Sequence, residues 1–410
     1  MPHPSAIAVL TVALLSGFGP TLAQAGSQAP VRTWSATVAA ALTRTDPGAR
    51  SEALRHHGSA VRSQADSLVA NDPALRVKHQ GDRLNADNGY YEWEAMVDLP
   101  LWLPGQRDAR RALAEALGLR ADALERTLRW EVAGRVREFA WATALAEGRL
   151  RQAERGLADT KTLEASVARR VAAGELARVD LLLAQQETLT QEVGLQSAKA
   201  EVDTARQRFS LLTDRNDLPA PIEEPVARVT ELAPDHPGLA AAEALVAEAR
   251  AERDRIGTER RANPTLSLGG KQTRDNRETD PYRALILELN IPFGLGRQAA
   301  PRLAEAERGY TDSATERERL RRELDTEIKL ADTALRSAKE ALTTAQRQQA
   351  LATETLGLVQ RGFDLGEIDL AALLRERTKA QEAALNLELR RLELGRSGSL
   401  LNQALGVVPQ

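Results

Sequence analysis

The sequence predicts a mainly α-helical protein with a smaller β part, built twice on one plan of two strands followed by a long helical hairpin. Its 410 residues are 28% charged and 3% aromatic, a balance typical of long helices. One motif occurs at residues 169–182 and again at 361–374, an offset of 361 − 169 = 192 residues. A repeat this long indicates two equivalent halves.

Three shorter landmarks recur in the same order at nearly the same offset. They are Asp46-Pro-Gly-Ala49 with His236-Pro-Gly-Leu239, Asp72-Pro-Ala-Leu75 with Asn263-Pro-Thr-Leu266, and Leu99-Pro-Leu-Trp-Leu103 with Ile291-Pro-Phe-Gly-Leu295. We therefore divide the chain into a first repeat at 26–213 and a second at 237–410. The segment 214–236 between them carries four prolines, so it cannot be helical throughout.

Residues 1–25 are predicted to be a secretory signal. Ala6–Leu15 is almost wholly apolar, and Ala23-Gln-Ala25 supplies the small residues of a cleavage site. Before the apolar run, the side chain of His3 and the amino terminus are the sources of positive charge, so a buried or unstructured N-terminus is the alternative. After this segment no stretch reaches the ~18–20 apolar residues of a spanning helix, so any membrane contact must be made by strands.

Helical spacing of apolar residues predicts one hairpin at about 106–212 and a second at about 300–405. Gly174 and Gly366 mark the chain reversals, since glycine suits a helix C-terminus. Strand pairs are predicted at about 73–103 and 264–295, and each strand approaches the ~9–11 residues of a tilted membrane strand. The alternative is a pair of soluble β-hairpins that cap a coiled coil.

Composition argues against several classes of function. A net charge of −3 gives no reason to expect nucleic acid. The chain has no Cys and only five His, which form no recognisable metal-ligand pattern. No nucleophile elbow, phosphate loop or nucleotide fingerprint occurs. We predict no catalytic residue, no metal site and no cofactor.

Taken together, the duplicated Asn/Asp-Pro-x-Leu strand entries, the Pro-bearing strand exits and the two Arg-x-x-x-x-Gly-Glu-Leu/Ile turns resemble the TolC-type outer-membrane efflux factors. The resemblance covers roughly Val31 to Val408. It implies a homotrimer in which four strands from each chain form a 12-stranded outer-membrane barrel in lipid, on a 12-helix periplasmic tunnel. Such a duct is passive and not an enzyme. Its partners are a periplasmic adaptor and an inner-membrane pump.

The segment Leu99-Pro-Leu-Trp-Leu-Pro-Gly-Gln-Arg-Asp-Ala-Arg110 looks most like the members that serve heavy-metal efflux. A multidrug duct and a type I protein-secretion duct are the alternatives within the family. Outside it, the alternatives are a periplasmic coiled-coil adaptor, which the duplication argues against, and a coiled-coil scaffold, which would not need strand pairs in both halves.

By motif, the resemblance places adaptor contacts at the ends of the two helical hairpins. The residues are Arg169, Val171, Gly174, Glu175, Leu176, Arg361, Phe363, Gly366, Glu367 and Ile368. Leu176, Phe363 and Ile368 are expected to offer apolar contact near an exposed end. The alternative is that each Gly-Glu pair only ends one helix and starts the next.

Asp180 matches a family position that forms ion pairs keeping the channel closed, whereas the second repeat has Ala372 at the equivalent place. The gate prediction is that Asp180, Glu175 and Glu367 interact with arginines across neighbouring hairpins. The candidate arginines are Arg169, Arg178, Arg361 and Arg375. Asp180→Ala is then expected to raise the conductance of the isolated channel.

Overall fold

The computed structural model describes residues 33–45, 48–84, 86–228, 231–294, 296–297 and 299–409. The predicted signal at 1–25 lies outside these residues, as do Val31, Asp46, Pro47 and Leu295. The described helices are α1 (Trp34–Thr45), α2 (Gly48–Asp66), α3 (Gln106–Ala172), α4 (Arg178–Thr213), α5 (Pro237–Thr258), α6 (Ala300–Asp364) and α7 (Leu370–Ala404). The strands are β1 (Ala74–Gly81), β2 (Tyr91–Pro100), β3 (Thr265–Arg274) and β4 (Tyr282–Asn290).

Long helices dominate the fold, so the predicted class is confirmed. α3 has 67 residues and α6 has 65, and each is therefore about 100 Å long at about 1.5 Å per residue. α3 packs against α4 and α7, and α7 packs against α6. The four helices therefore lie side by side in the order α4-α3-α7-α6, with α4 and α6 outermost.

The four strands form one antiparallel sheet in the order β1-β2-β3-β4. The sequence predicted two strand pairs, and the structure joins them into one sheet through β2 and β3, where Val97 lies opposite Leu268 and Asp98 opposite Ser267. In the described chain, β1 and β4 are hydrogen-bonded along one side only. Both edges of the sheet are therefore open to another strand.

Two polar contacts fix the sheet to the helices. Gln106, at the start of α3, exchanges hydrogen bonds with Asn263, whose amide nitrogen lies 2.8 Å from the Gln106 amide oxygen. Asn263 also donates to the backbone oxygen of Leu101 at 2.7 Å. Beside them, the guanidinium of Arg110 lies over the Trp102 ring and pairs with Glu259 at 2.6 Å.

The segment 214–236 has no helix or strand in its described residues, as its prolines predict. It nevertheless belongs to the core. The fully buried Arg137 of α3 holds Glu224 through two hydrogen bonds of 2.8 and 2.9 Å. Trp34 donates to the Ile222 carbonyl at 3.2 Å. A buried charge that is paired in this way fixes the path of the segment across the helices.

None of the described helices combines the length and the apolar character needed to cross a bilayer.

Candidate functional site: the hairpin ends and the exposed sheet

Both helical hairpins reverse direction with the same hydrogen-bond pattern. Gly174 has φ of 82° and Gly366 has φ of 79°, a left-handed conformation that is easy for glycine and strained for other residues. The bonds are Gly174 N–H to Val171 O and Glu175 N–H to Arg170 O in the first turn, and Gly366 N–H to Phe363 O and Glu367 N–H to Gly362 O in the second. This pair of bonds is the Schellman motif. The repeated sequence motif therefore encodes a repeated turn.

The two repeats cap the helices that follow these turns with carboxylates at different positions. In the first, Asp180 accepts a hydrogen bond from the Ala177 N–H at 3.1 Å. In the second, Asp369 accepts one from the Ala372 N–H at 2.6 Å. The positions correspond, since 177 + 192 = 369 and 180 + 192 = 372, so each repeat keeps a different half of a capping box. Asp180 thus has a structural role within its own chain.

The prediction that Phe363 offers apolar contact at an exposed end is wrong. Its ring is only 3% exposed. It packs in a cluster drawn from both hairpins, together with Leu163, Val167, Ala184, Leu370 and Leu373. Burying a Phe side chain contributes about 1.5–3 kcal/mol, and here that contribution holds the two hairpin ends together.

Arg170 contributes to this junction, and the sequence analysis missed it. Its guanidinium lies 4.8 Å from the centre of the Phe363 ring and pairs with Glu175 at 3.2 Å. It also donates to the Phe363 carbonyl at 3.5 Å. Comparing the two repeats did not reveal Arg170, because the arginine is not repeated: the equivalent position, 170 + 192 = 362, is Gly362.

The remaining predicted tip residues lie at or near the surface. Arg169, Gly174, Glu175, Arg361, Gly366 and Glu367 are exposed, and Val171, Leu176 and Ile368 are half-buried. Of the gate candidates, Arg178 and Arg375 are exposed and Asp180 is half-buried. Within the described chain no ion pair joins these three residues to one another. Their roles in gating and in adaptor contact stay predictions.

The sheet has one apolar and one polar face, because alternate residues of a strand point to opposite sides. The apolar face is largely exposed, with Leu285 at 95% and Leu287 at 72%. Its other large exposed side chains are Leu75, Val77, Trp93, Val97, Leu268 and Leu289. An apolar patch this continuous marks a surface that contacts a partner or a membrane.

The opposite face of the sheet carries paired charges. Arg76 pairs with Asp98 at 2.7 Å, and Lys271 pairs with Glu92 at 3.0 Å. Lys78 lies 3.5 Å from the same Glu92. Water suits this face and an apolar medium suits the other.

In the described residues, no group of three or more His, Cys, Asp or Glu side chains is arranged to hold a metal ion.

The fold matches those of solved outer-membrane channels. The outer-membrane protein VceC of Vibrio cholerae aligns with a TM-score of 0.71 at 14% identity, over 91% of this chain and 96% of that one. CusC, whose structures concern transmembrane channel formation, aligns with a TM-score of 0.71 at 17% identity, over 92% of each chain. The MtrE outer-membrane channel of Neisseria gonorrhoeae, in its open state, aligns with a TM-score of 0.67 at 19% identity, over 92% of this chain and 89% of that one.

The chain therefore has the fold of the TolC-type outer-membrane channels, as its motifs predicted. By sequence it is 31% identical, over 221 residues, to the cobalt-zinc-cadmium resistance protein CzcC of Cupriavidus metallidurans. That match covers 48% of this chain and 49% of CzcC, about half the length of the curated relative. No protein-family model matches the chain.

Proposed function

We propose that this protein is the outer-membrane channel of a tripartite efflux system, a passive exit duct in series with an inner-membrane pump and a periplasmic adaptor. The observation that carries the proposal is the sheet, with an exposed apolar face, an ion-paired face and two open edges. In lipid, unpaired backbone groups cost several kcal/mol each, so the sheet must close with other copies. Four strands per chain make 12 in a homotrimer. The chain performs no chemistry; the pump supplies the energy.

The substrate class that we propose is heavy-metal cations. The sequence similarity to a protein named for cobalt, zinc and cadmium resistance supports this choice, as does the Leu99–Arg110 segment. Multidrug export and type I protein secretion are the competing uses of the same duct. A periplasmic adaptor or scaffold fits less well, because neither needs a sheet with a large exposed apolar face.

Two neighbouring substitutions test the orientation of the sheet. Leu287 lies on the apolar face and Ile286 on the ion-paired face. A lysine facing lipid at mid-membrane costs about 2–4 kcal/mol. We expect Leu287→Lys to lower the amount of trimer in the outer-membrane fraction sharply, and Ile286→Lys, the matched control, to leave it near the wild-type amount. Equal loss in both variants would contradict a membrane-facing apolar side.

Growth of a deletion strain tests the substrate. Sensitivity to cobalt, zinc and cadmium, relieved by the intact gene, supports metal efflux. Sensitivity to dyes, detergents and antibiotics instead would indicate that the duct serves multidrug export.

We propose that the hairpin ends gate the duct and contact the adaptor, with Asp180 as one element of the gate. Asp180→Asn keeps an acceptor for the Ala177 N–H but removes the charge, whereas Asp180→Ala removes both. If the charge holds the duct closed, both variants raise the single-channel conductance in planar bilayers. A rise in Asp180→Ala alone would assign the effect to the helix cap.

A further inference from the structure

The apolar face of the sheet contains a depression of about 400 Å³. It lies at one row of residues that runs straight across the four strands, Val77-Ala95-Gly270-Leu285. Ala95 and Gly270 are the two small members of this row, and they form the floor. Val77 and Leu285 are large and exposed, and they form the two side walls.

The next row toward the loops closes one end of the depression with polar groups. This row is His79-Trp93-Gln272-Arg283. His79 stacks on the Trp93 ring, with ring centres 4.1 Å apart. Trp93, Gln272 and Arg283 all line the depression. An apolar hollow therefore ends at an exposed guanidinium.

Arg283 differs from the other cations of the sheet. Arg76, Lys78 and Lys271 lie on the opposite face and are paired with carboxylates. Arg274 shares the apolar face but donates to two loop carbonyls, those of Asn276 and Arg277. Arg283 has no ion pair among the residues that the structure describes. Arg283 is exposed in the single chain. In the lipid that the proposed function places around this face, a guanidinium without an anion would be costly unless a ligand supplies the anion.

The position of Arg283 also restricts the ligand. It lies next to the β3–β4 loop, at the end of the sheet that is away from the long helices. If the helices extend into the periplasm, this end lies at the outer leaflet. The side walls, Val77 and Leu285, are apolar, and the loop end carries Arg283. Glu94 and Lys271 also border the depression, although they alternate onto the opposite face of the sheet. An acyl chain with a phosphate head is complementary to both parts.

We propose that this depression, with Arg283 at its loop end, is a binding site for a phosphorylated, acylated lipid of the outer leaflet. One acyl chain lies on Ala95 and Gly270 between Val77 and Leu285, and a phosphate accepts two hydrogen bonds from Arg283. Guanidinium groups suit this contact because their planar fork matches phosphate oxygens. The site rests on the proposed membrane position of the sheet, but a trimeric duct does not require it.

The test is lipid binding to the full-length, delipidated trimer in nonionic detergent, followed by native mass spectrometry. The probes are diphosphorylated lipid A and zwitterionic phosphatidylcholine. We expect wild-type protein to bind lipid A at least about tenfold more tightly than phosphatidylcholine, a difference of about 1.4 kcal/mol. Gly270→Val fills the hollow and Arg283→Gln removes the charge, and each should weaken lipid A binding by about tenfold or more.

Both variants are expected to fold. A Cβ at Gly270 would lie 3.5 Å from the nearest atom, the Ala284 carbonyl oxygen, which is an ordinary contact. Arg83→Gln is the matched control, because Arg83 is an exposed cation in the other loop at the same end of the sheet. It should bind lipid A as the wild type does.

The proposal is overturned if wild-type trimer binds both lipids equally, if Gly270→Val and Arg283→Gln bind lipid A normally, or if Arg83→Gln weakens binding as much as they do. If the trimer still reaches the outer membrane in any of these cases, the proposed duct function is not contradicted. A chain absent from the outer membrane would overturn the duct and this site together.

Discussion

At the scale of single residues, His236 caps the start of α5, and its burial is expected to make the stability of the fold depend on pH. It precedes Pro237 at the start of α5, and its Nδ1 accepts a hydrogen bond from the Gly238 N–H at 3.1 Å. The ring is 1% exposed and meets the edge of Trp130. Burial lowers the pKa of His236 below its ordinary value of 6.5, and the Ala404 backbone and the Asp235 carboxylate offset this only in part.

The first prediction concerns acid stability. The unfolded chain takes up a proton at His236 near pH 6.5, whereas the folded chain does so only at lower pH. His236 therefore makes its full contribution to the free energy of unfolding above about pH 6.5. This contribution is lost as the pH falls through the lowered pKa of the folded chain. His236→Asn keeps an N-capping acceptor without the titration.

We therefore expect wild-type protein to lose more unfolding free energy than His236→Asn between about pH 7.5 and pH 5. Denaturant unfolding followed by circular dichroism measures the difference. Parallel curves for the two proteins would show that His236 does not carry the pH dependence.

At the scale of elements, the two turns explain the repeated glycine. Each turn needs φ near +80° at one position. A Cβ added at Gly174 would have no atom beyond its chain neighbours within 4 Å, so the constraint is the backbone angle and not crowding. Gly194, within α4, also has open space around it but has no positive φ. The two glycines differ in backbone conformation alone.

Alanine at these two glycines should therefore have opposite effects. Gly174→Ala is expected to cost about 1–2 kcal/mol, because a left-handed residue acquires a Cβ. Gly194→Ala is expected to gain about 0.5–1 kcal/mol, because alanine has the higher helix propensity. Denaturant midpoints at matched slope measure both. Loss in both variants would mean that Gly194 is packed against another chain.

At the scale of the whole molecule, exposed aliphatic stripes run along both outer helices. They are Val179, Leu182, Leu189 and Val193 on α4, and Leu351 and Leu358 on α6, with Leu365 just beyond its end. A cyclic assembly uses one patch against a different patch of the next copy. These stripes are candidates for the two patches, because they lie at matching heights above the turns.

The heights give a cross-linking prediction. Leu182 is 182 − 174 = 8 residues beyond Gly174, and Leu358 is 366 − 358 = 8 residues before Gly366. Each is about 12 Å from its turn along the helix. The chain has no Cys, so Leu182→Cys with Leu358→Cys and a short bismaleimide should give covalent trimers on a denaturing gel.

Leu330 is the matched control, since it is exposed on α6 but lies 366 − 330 = 36 residues from the turn. Leu182→Cys with Leu330→Cys should remain monomeric on the gel. Equal cross-linking of both pairs would contradict packing of α4 against α6 at matched heights.

The sequence by itself determined the four long helices, the four strands and their order, whereas the bounds of α1, α2 and α5 came only from the structure. Apolar spacing, proline positions and the duplicated Gly-Glu turns are local signals, because helix periodicity, strand alternation and the left-handed glycine are decided by neighbours along the chain. The contacts between repeats were decided only by the tertiary structure. Phe363 is buried between the hairpins, Arg170 lies over its ring, and β2 pairs with β3 across at least 265 − 100 = 165 residues of chain. Such contacts depend on which surfaces meet in three dimensions, and a local pattern of residues along the chain does not predict them.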